Sequence, residues 1–139
     1  MSERRALVID IDGTLCPVKS EGAQYEDLKP HFAMVERLRQ WRADGYRIVL
    51  HTARNMRTYD GNLGLINKHT APKLVDWLER WDIPFDELHF GKPWAGHDGF
   101  YIDDRAVRPN EFLEFSAREL RALLKQAQLG LEEVTADTT

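Results

Sequence analysis

Short apolar runs alternating with amphipathic, helix-length segments predict an α/β fold, with a mostly parallel central sheet and helices on both faces, three layers in all. Two observations carry this reading. The runs Ala6–Ile9 and Ile48–Leu50 are continuously apolar, as strands buried on both faces require. Every strand candidate is also followed by reactive polar residues at its carboxyl end, which is where such sheets bind ligands.

The elements follow in chain order. Ala6–Ile9 is the first strand and stops at acids. Residues 16–29 are polar, contain Pro17 and Gly22, and read as a loop or short hairpin. Pro30 suits the first turn of a helix whose Met34, Val35, Leu38 and Trp41 repeat at helical spacing, with Gly45 as its stop. Ile48–Leu50 is the second strand, and 52–69 a long polar loop. Thr70 caps a helix starting near Pro72, with Leu74, Val75, Leu78 and Trp81 facing inward. Glu87–Phe90 and Phe100–Ile102 are the third and fourth strands. Ser116 and Glu119 fit a capping box opening a last helix to about Leu129. One domain over 1–129 and a flexible tail over 130–139 account for the chain.

With 139 residues, 42% of them hydrophobic and 30% charged, the chain has the composition of a globular domain. Its net charge of −4, with no basic run, leaves no footprint for nucleic acid. No apolar run approaches the roughly 18 residues a membrane span needs, so neither a membrane nor a nucleic acid is expected as partner. Cys16 is the single cysteine, which excludes an intrachain disulfide and suits a cytoplasmic setting. It reads as core filler.

The strand ends supply Asp10 and Asp12, then Thr52 and Arg54, then Lys92, then Asp103 and Asp104. Side chains two apart in extended backbone point the same way, so Asp10 and Asp12 both face a cleft while Gly13 turns the chain. Acids gathered at one sheet edge repel unless a cation joins them. Oxygen ligands without a cysteine pair favour Mg²⁺. Lys92 and Thr52 add a positive charge and a hydroxyl donor, which suit phosphoryl oxygens. Arg54, Asn55 and Arg57 start the loop beside Thr52, where they would read a second polar or anionic group of a substrate. The five histidines show no metal-ligand spacing and are assigned to packing or surface. Trp94 either stacks on a sugar ring or braces its loop.

Taken together, Asp10-Ile11-Asp12-Gly13-Thr14-Leu15, His51-Thr52-Ala53-Arg54, Lys92 and Tyr101-Ile102-Asp103-Asp104 resemble the four motifs of the haloacid-dehalogenase superfamily, in the same order. The stretches 51–64 and 91–109 are similar to small bacterial phosphatases assigned to capsular polysaccharide biosynthesis. The resemblance implies a Mg²⁺-dependent phosphatase. Asp10 would be the nucleophile, and Asp12 the acid and then the base, which requires it to hold a proton in the first step. Asp10, the Asp12 carbonyl and Asp103 would hold the metal. Asp104 would support a metal-bound water or orient Lys92, and Thr52 and Lys92 would grip the phosphoryl group.

Members of that superfamily often carry a cap domain. The segments 16–29 and 52–69 are too short for one, so a large substrate or a neighbouring subunit must cover the site. That need, with Trp77, Trp81, Phe112 and Phe115 in so small a chain, leads to the expectation of a homo-oligomer acting on a small phosphorylated metabolite. A phosphotransferase or mutase, or a non-catalytic module binding phosphorylated ligands, is the alternative. A receiver domain fits less well, because Gly91-Lys92 and no Asp follows the third strand.

Overall fold

The computed structural model describes residues 5–91 and 98–138, the side chains of 129 and 132–138 excepted. Four strands, β1 (Ala6–Asp10), β2 (Arg47–Thr52), β3 (Glu87–Phe90) and β4 (Phe100–Ile102), form one all-parallel sheet in the order β3-β2-β1-β4. Flanking it are α1 (Phe32–Ala43), α2 (Leu63–His69), α3 (Ala71–Arg80), α4 (Pro109–Glu114) and α5 (Ala117–Thr138). This is the three-layer, Rossmann-like α/β arrangement expected from the sequence, and no cap domain is evident among the described residues.

Strand periodicity divides the core between the two faces. Leu7 and Ile9 of β1 pair in register with Ile48 and Leu50 of β2. These four residues share one cluster with Val35 and Leu38 of α1 and with Leu74, Trp77 and Leu78 of α3. Ala6, Val8 and Val49 form a smaller buried cluster on the opposite face. The Trp77 indole N–H donates to the Leu28 carbonyl at 2.8 Å, tying α3 to the segment ahead of α1. Each such buried aliphatic side chain contributes about 1.5–3 kcal/mol through its removal from water.

The helices depart from expectation in definite ways. Helix α1 begins at Phe32 with His31 before it, so Pro30 lies outside its first turn. Gly45, at φ 99°, ends the chain's helical course as anticipated. The expected loop 52–69 contains a helix, α2. The Asn62 carboxamide oxygen accepts from the Leu65 N–H at 3.2 Å and Ile66 is fully buried, which together offset Gly64. Thr70 has helical dihedrals and makes no side-chain cap; its hydroxyl donates instead to the Asn55 carboxamide oxygen at 2.8 Å.

Helix α4 occupies a stretch to which no element was assigned. The Ser116–Glu119 capping box is present, with Ser116 N–H to Glu119 at 2.9 Å and Glu119 N–H to the Ser116 hydroxyl at 3.2 Å. The helix it opens runs to Thr138, through the segment read as a flexible tail. Of the four aromatic residues tied to self-association, Trp77 and Trp81 pack in or against the core, whereas Phe112 is largely exposed. Among the described residues no helix is long and apolar enough to cross a membrane.

Candidate active site

Strand order fixes where the site can form. From β1 the chain proceeds to β2 on one side, while β4 sits on the other, so the carboxyl end of β1 lies at the topological switch point. Asp10 is the last residue of β1, and Asp103 and Asp104 directly follow β4. A cavity at this edge is lined by Asp10, Asp12, Thr52, Arg54, Arg57 and Asp103, among others. The structure therefore brings together Asp10, Asp12, Thr52, Arg54, Asn55, Arg57 and Asp103 around one opening. Lys92, Trp94 and His97 lie outside the described residues.

The turn after β1 is built tightly. The N–H groups of Thr14, Leu15 and Cys16 all approach the Ile11 carbonyl, at 3.2, 2.8 and 3.3 Å, while Gly13 adopts φ 91°. A β-carbon at Gly13 would sit 2.2 Å from an Asp104 carboxylate oxygen, so glycine is needed for space as well as for conformation. This turn delivers the Thr14 hydroxyl between two acids, 3.3 Å from Asp10 Oδ2 and 3.3 Å from Asp104 Oδ1. The same oxygen accepts the Asp104 N–H at 3.0 Å. A hydroxyl has one proton, so it can serve only one of the two carboxylates at a time.

Burial of Asp10, with a hydrogen bond to Asp104 and the charges of Asp103, Asp104 and Asp12, pushes its carboxyl pKa up to about 8. Burial is the largest cause, and the neighbouring carboxylates add negative charge that a bound cation would offset. The residues present fit one. Ligand atoms of Asp10, His51 and Asp103 lie within 4.8 Å of one another. Two carboxylates suit a hard ion such as Mg²⁺, and the imidazole adds a nitrogen that transition ions also accept. Sequence spacing assigns His51 to packing or surface. The β1–β2 register pairs it with Asp10, which places both on one face of the sheet.

Asp12 is held apart from that group. Arg54 Nε lies 3.0 and 3.1 Å from its two oxygens, and the terminal Nη2 lies 2.9 Å from Oδ1. The Thr52 hydroxyl donates to Asp12 Oδ2 at 3.2 Å and accepts the Arg54 N–H at 3.0 Å. The Arg54 side chain is only 3% exposed, and its guanidinium stacks 4.2 Å from the centre of the Tyr25 ring. A rim residue reading substrate was expected at this position. The structure instead gives Arg54 the Asp12 carboxylate as partner. Asn55, at φ 60°, has its carboxamide oxygen bonded to Thr70, while Arg57 is exposed at the mouth of the cavity.

Asp104 is 5% exposed and supports the site from beneath through Thr14 and through α5, whose Gln128 amide donates to its Oδ2 at 3.0 Å. Cys16 is buried beside Asp12. Burial first, and then the Asp12 charge, pushes its thiol pKa up to about 12, which leaves no thiolate at neutral pH. Sequence reasoning missed Thr14, Tyr25, His51 and Gln128. Thr14 stood inside a motif that was read for its acids, and Gln128 lies on a helix with no chemical signature.

No family model matches the chain. A crystal structure of a structural-genomics target from Vibrio cholerae is 47% identical to it, over 88% of this chain and 98% of that one, with a TM-score of 0.60. The chain belongs to the same family as that Vibrio protein.

Proposed function

We propose that the protein is a Mg²⁺-dependent phosphomonoesterase of the haloacid-dehalogenase type that acts through a phosphorylated Asp10. The observation that carries this is the convergence of Asp10, Asp12, Thr52, Asp103 and Asp104 on one carboxyl edge, at the sheet's switch point. The four sequence motifs it resembles support the same reading, as does a donor set suited to a hard cation.

In this reading an Asp10 carboxylate oxygen attacks phosphorus, the bond to the ester oxygen breaks, and Asp12, which must first give up its Arg54 contact and take a proton, passes that proton to the departing alkoxide. Asp12 then takes a proton from water, which attacks the phosphorus of the acyl phosphate. The bond to Asp10 breaks and inorganic phosphate leaves. The Thr52 hydroxyl and Arg54 hold Asp12 as the carboxylate that the second step needs. Asp10 and Asp103 would hold Mg²⁺, with His51 beside them, and the ion would neutralise charge on the phosphoryl oxygens. Lys92 completes the phosphoryl grip in this proposal, and Arg57 faces the non-reacting part of a small phosphorylated metabolite.

A cytoplasmic enzyme with one buried thiol belongs to the same reading. So does a homo-oligomer using the exposed Phe112 and Leu113 of α4, which light scattering would test. A role in surface polysaccharide formation rests on resemblance alone. The deciding experiment is turnover of p-nitrophenyl phosphate and a sugar-phosphate panel, with Mg²⁺ and after chelation. Trapping of a phosphorylated Asp10 by rapid quench is the expected result. Hydrolysis that survives exhaustive chelation, or no hydrolysis of any monoester, overturns the proposal.

A further inference from the structure

Beside the catalytic cavity lies a second one of about 500 Å³, and the two share Lys19, Tyr25, Arg54 and Asn55 as walls. Its volume lies within the 300–1,000 Å³ range typical of small-molecule pockets. Tyr59 and His69 stack in its lining, ring centres 5.7 Å apart and planes 24° from parallel. Trp77, Gln24 and Thr70 also line it.

We propose that this side cavity receives the alcohol portion of the substrate, and that the alcohol is polyhydroxylated, sugar-sized and carries a carboxylate. The inference rests on the phosphomonoesterase reading above and adds to it a location and a chemical class for the leaving group. Three observations point the same way. Arg54, which grips the group that would protonate the leaving oxygen, is a wall of both cavities, so an alcohol released beside Asp12 lies next to the side cavity. Aromatic faces interleaved with carboxamides and a hydroxyl suit the mixed C–H and O–H surface of a sugar.

Charge supplies the third observation. Arg54 is taken by Asp12, and Lys73 lies 3.9 Å from Glu26, the single acid of the lining. Lys19 stands where the cavities meet. Among the described residues its ammonium has the Tyr25 ring, 5.4 Å away, and no carboxylate as partner. One positive charge is thus left over in a polar pocket next to an acidic site, which favours an anionic group on the ligand.

The test compares kcat/KM with Mg²⁺ for 6-phosphogluconate, glucuronate 1-phosphate, glucose 6-phosphate and methyl phosphate, in the wild type and in Lys19→Met and Tyr59→Ala. The wild type should favour a sugar-acid phosphate over glucose 6-phosphate by about tenfold, and over methyl phosphate by about a hundredfold or more. Lys19→Met should erase the preference for the acid, and Tyr59→Ala should cut the sugar-to-methyl ratio by about tenfold. Hydrolysis with ratios unchanged in both variants overturns the subsite and leaves the activity standing. Hydrolysis of p-nitrophenyl phosphate but of none of the four overturns the subsite. If the wild type hydrolyses no monoester at all, the activity is what fails, and the cavity is then judged by titrating gluconate and glucuronate against backbone amide NMR shifts. Saturable shifts at Lys19, Tyr59 and His69 that vanish in Lys19→Met sustain the cavity, and their absence in the wild type overturns it.

Discussion

Arg54 embraces Asp12 with two of its nitrogens, at 2.9–3.1 Å, from a position almost wholly out of solvent. The Tyr25 and Trp77 rings lie against the guanidinium, at 4.2 and 5.8 Å from their centres, so the arginine is fixed before any ligand arrives. In the phosphomonoesterase reading Arg54 is therefore a positioning residue for Asp12.

Arg54→Gln should lower kcat on p-nitrophenyl phosphate and on the best metabolite alike, by about 10²-fold, because both need Asp12 in place. Arg54→Lys should recover little, since an ammonium cannot reproduce the planar fork. Chemical denaturation should show a loss of about 1–3 kcal/mol for the Gln variant, from the Asp12 carboxylate left without its partner. Arg57→Ala should behave differently, with a large loss on the metabolite and a small one on the aryl ester. An Arg54 variant that followed the Arg57 pattern would make Arg54 a substrate contact after all.

Asp10→Asn should abolish turnover, as an amide is no nucleophile, and should change how the metal-free protein responds to pH. The folded pKa of Asp10, about 8, lies above its ordinary value of 3.8. Its contribution to stability is thus fully present below about 4 and is lost as pH rises toward 8. Thermal denaturation in chelator should show wild-type Tm falling across that window more steeply than Tm of the Asn variant. Mg²⁺ should restore the wild type most at the alkaline end. Parallel Tm curves for the two proteins would remove Asp10 as the source of the slope.

Gly13→Ala should cost about 2–4 kcal/mol, combining the positive φ with a β-carbon driven into the Asp104 carboxylate. Asp104 is not free to swing aside, because Thr14 and Gln128 hold it. Urea denaturation measures the loss. A variant as stable as the wild type would mean that the turn relaxes at no cost.

Cys16 should resist thiol reagents in the folded protein even at pH 8, because its thiol is buried and its pKa is raised to about 12. Labelling with Ellman's reagent should proceed at the rate of unfolding and accelerate with urea. Fast stoichiometric labelling under native conditions would show that the turn around Ile11–Cys16 opens locally.

How much of this was legible in the sequence depends on the distance over which each signal acts. Strands β1 and β4 were read nearly to the residue, because an apolar run ended by acids is a local pattern, and β3 was bounded by Pro84 before it and Gly91 after it. Helices α2 and α4 are short: α2 rests on the Asn62 cap and the buried Ile66, and α4, which buries nothing, on the Arg108 N–H bonded to Glu111, and neither device shows as periodicity. The acids at the strand ends were found because one sheet edge collects them. Arg54 was placed beside Thr52, but its bond to Asp12 was not read from the sequence. The Tyr25 ring lies over Arg54 from a one-turn 3₁₀ helix, Tyr25–Asp27, inside the segment read as a loop or short hairpin. His51 required the β1–β2 register, and Gln128 required the docking of α5. Neither can be read from spacing along the chain.

The wall shared by the two cavities also constrains how this protein could diversify. A mutation that carves room from Arg54 or Tyr25 frees Asp12 as it enlarges the pocket, so a gain in range would bring a loss in rate. Tyr59, His69 and Lys73, which line the side cavity and not the catalytic one, have no such tie to Asp12. Descendants handling different molecules should therefore differ first at these residues and keep Arg54 and Tyr25, and a designer seeking new specificity should randomise the same three positions.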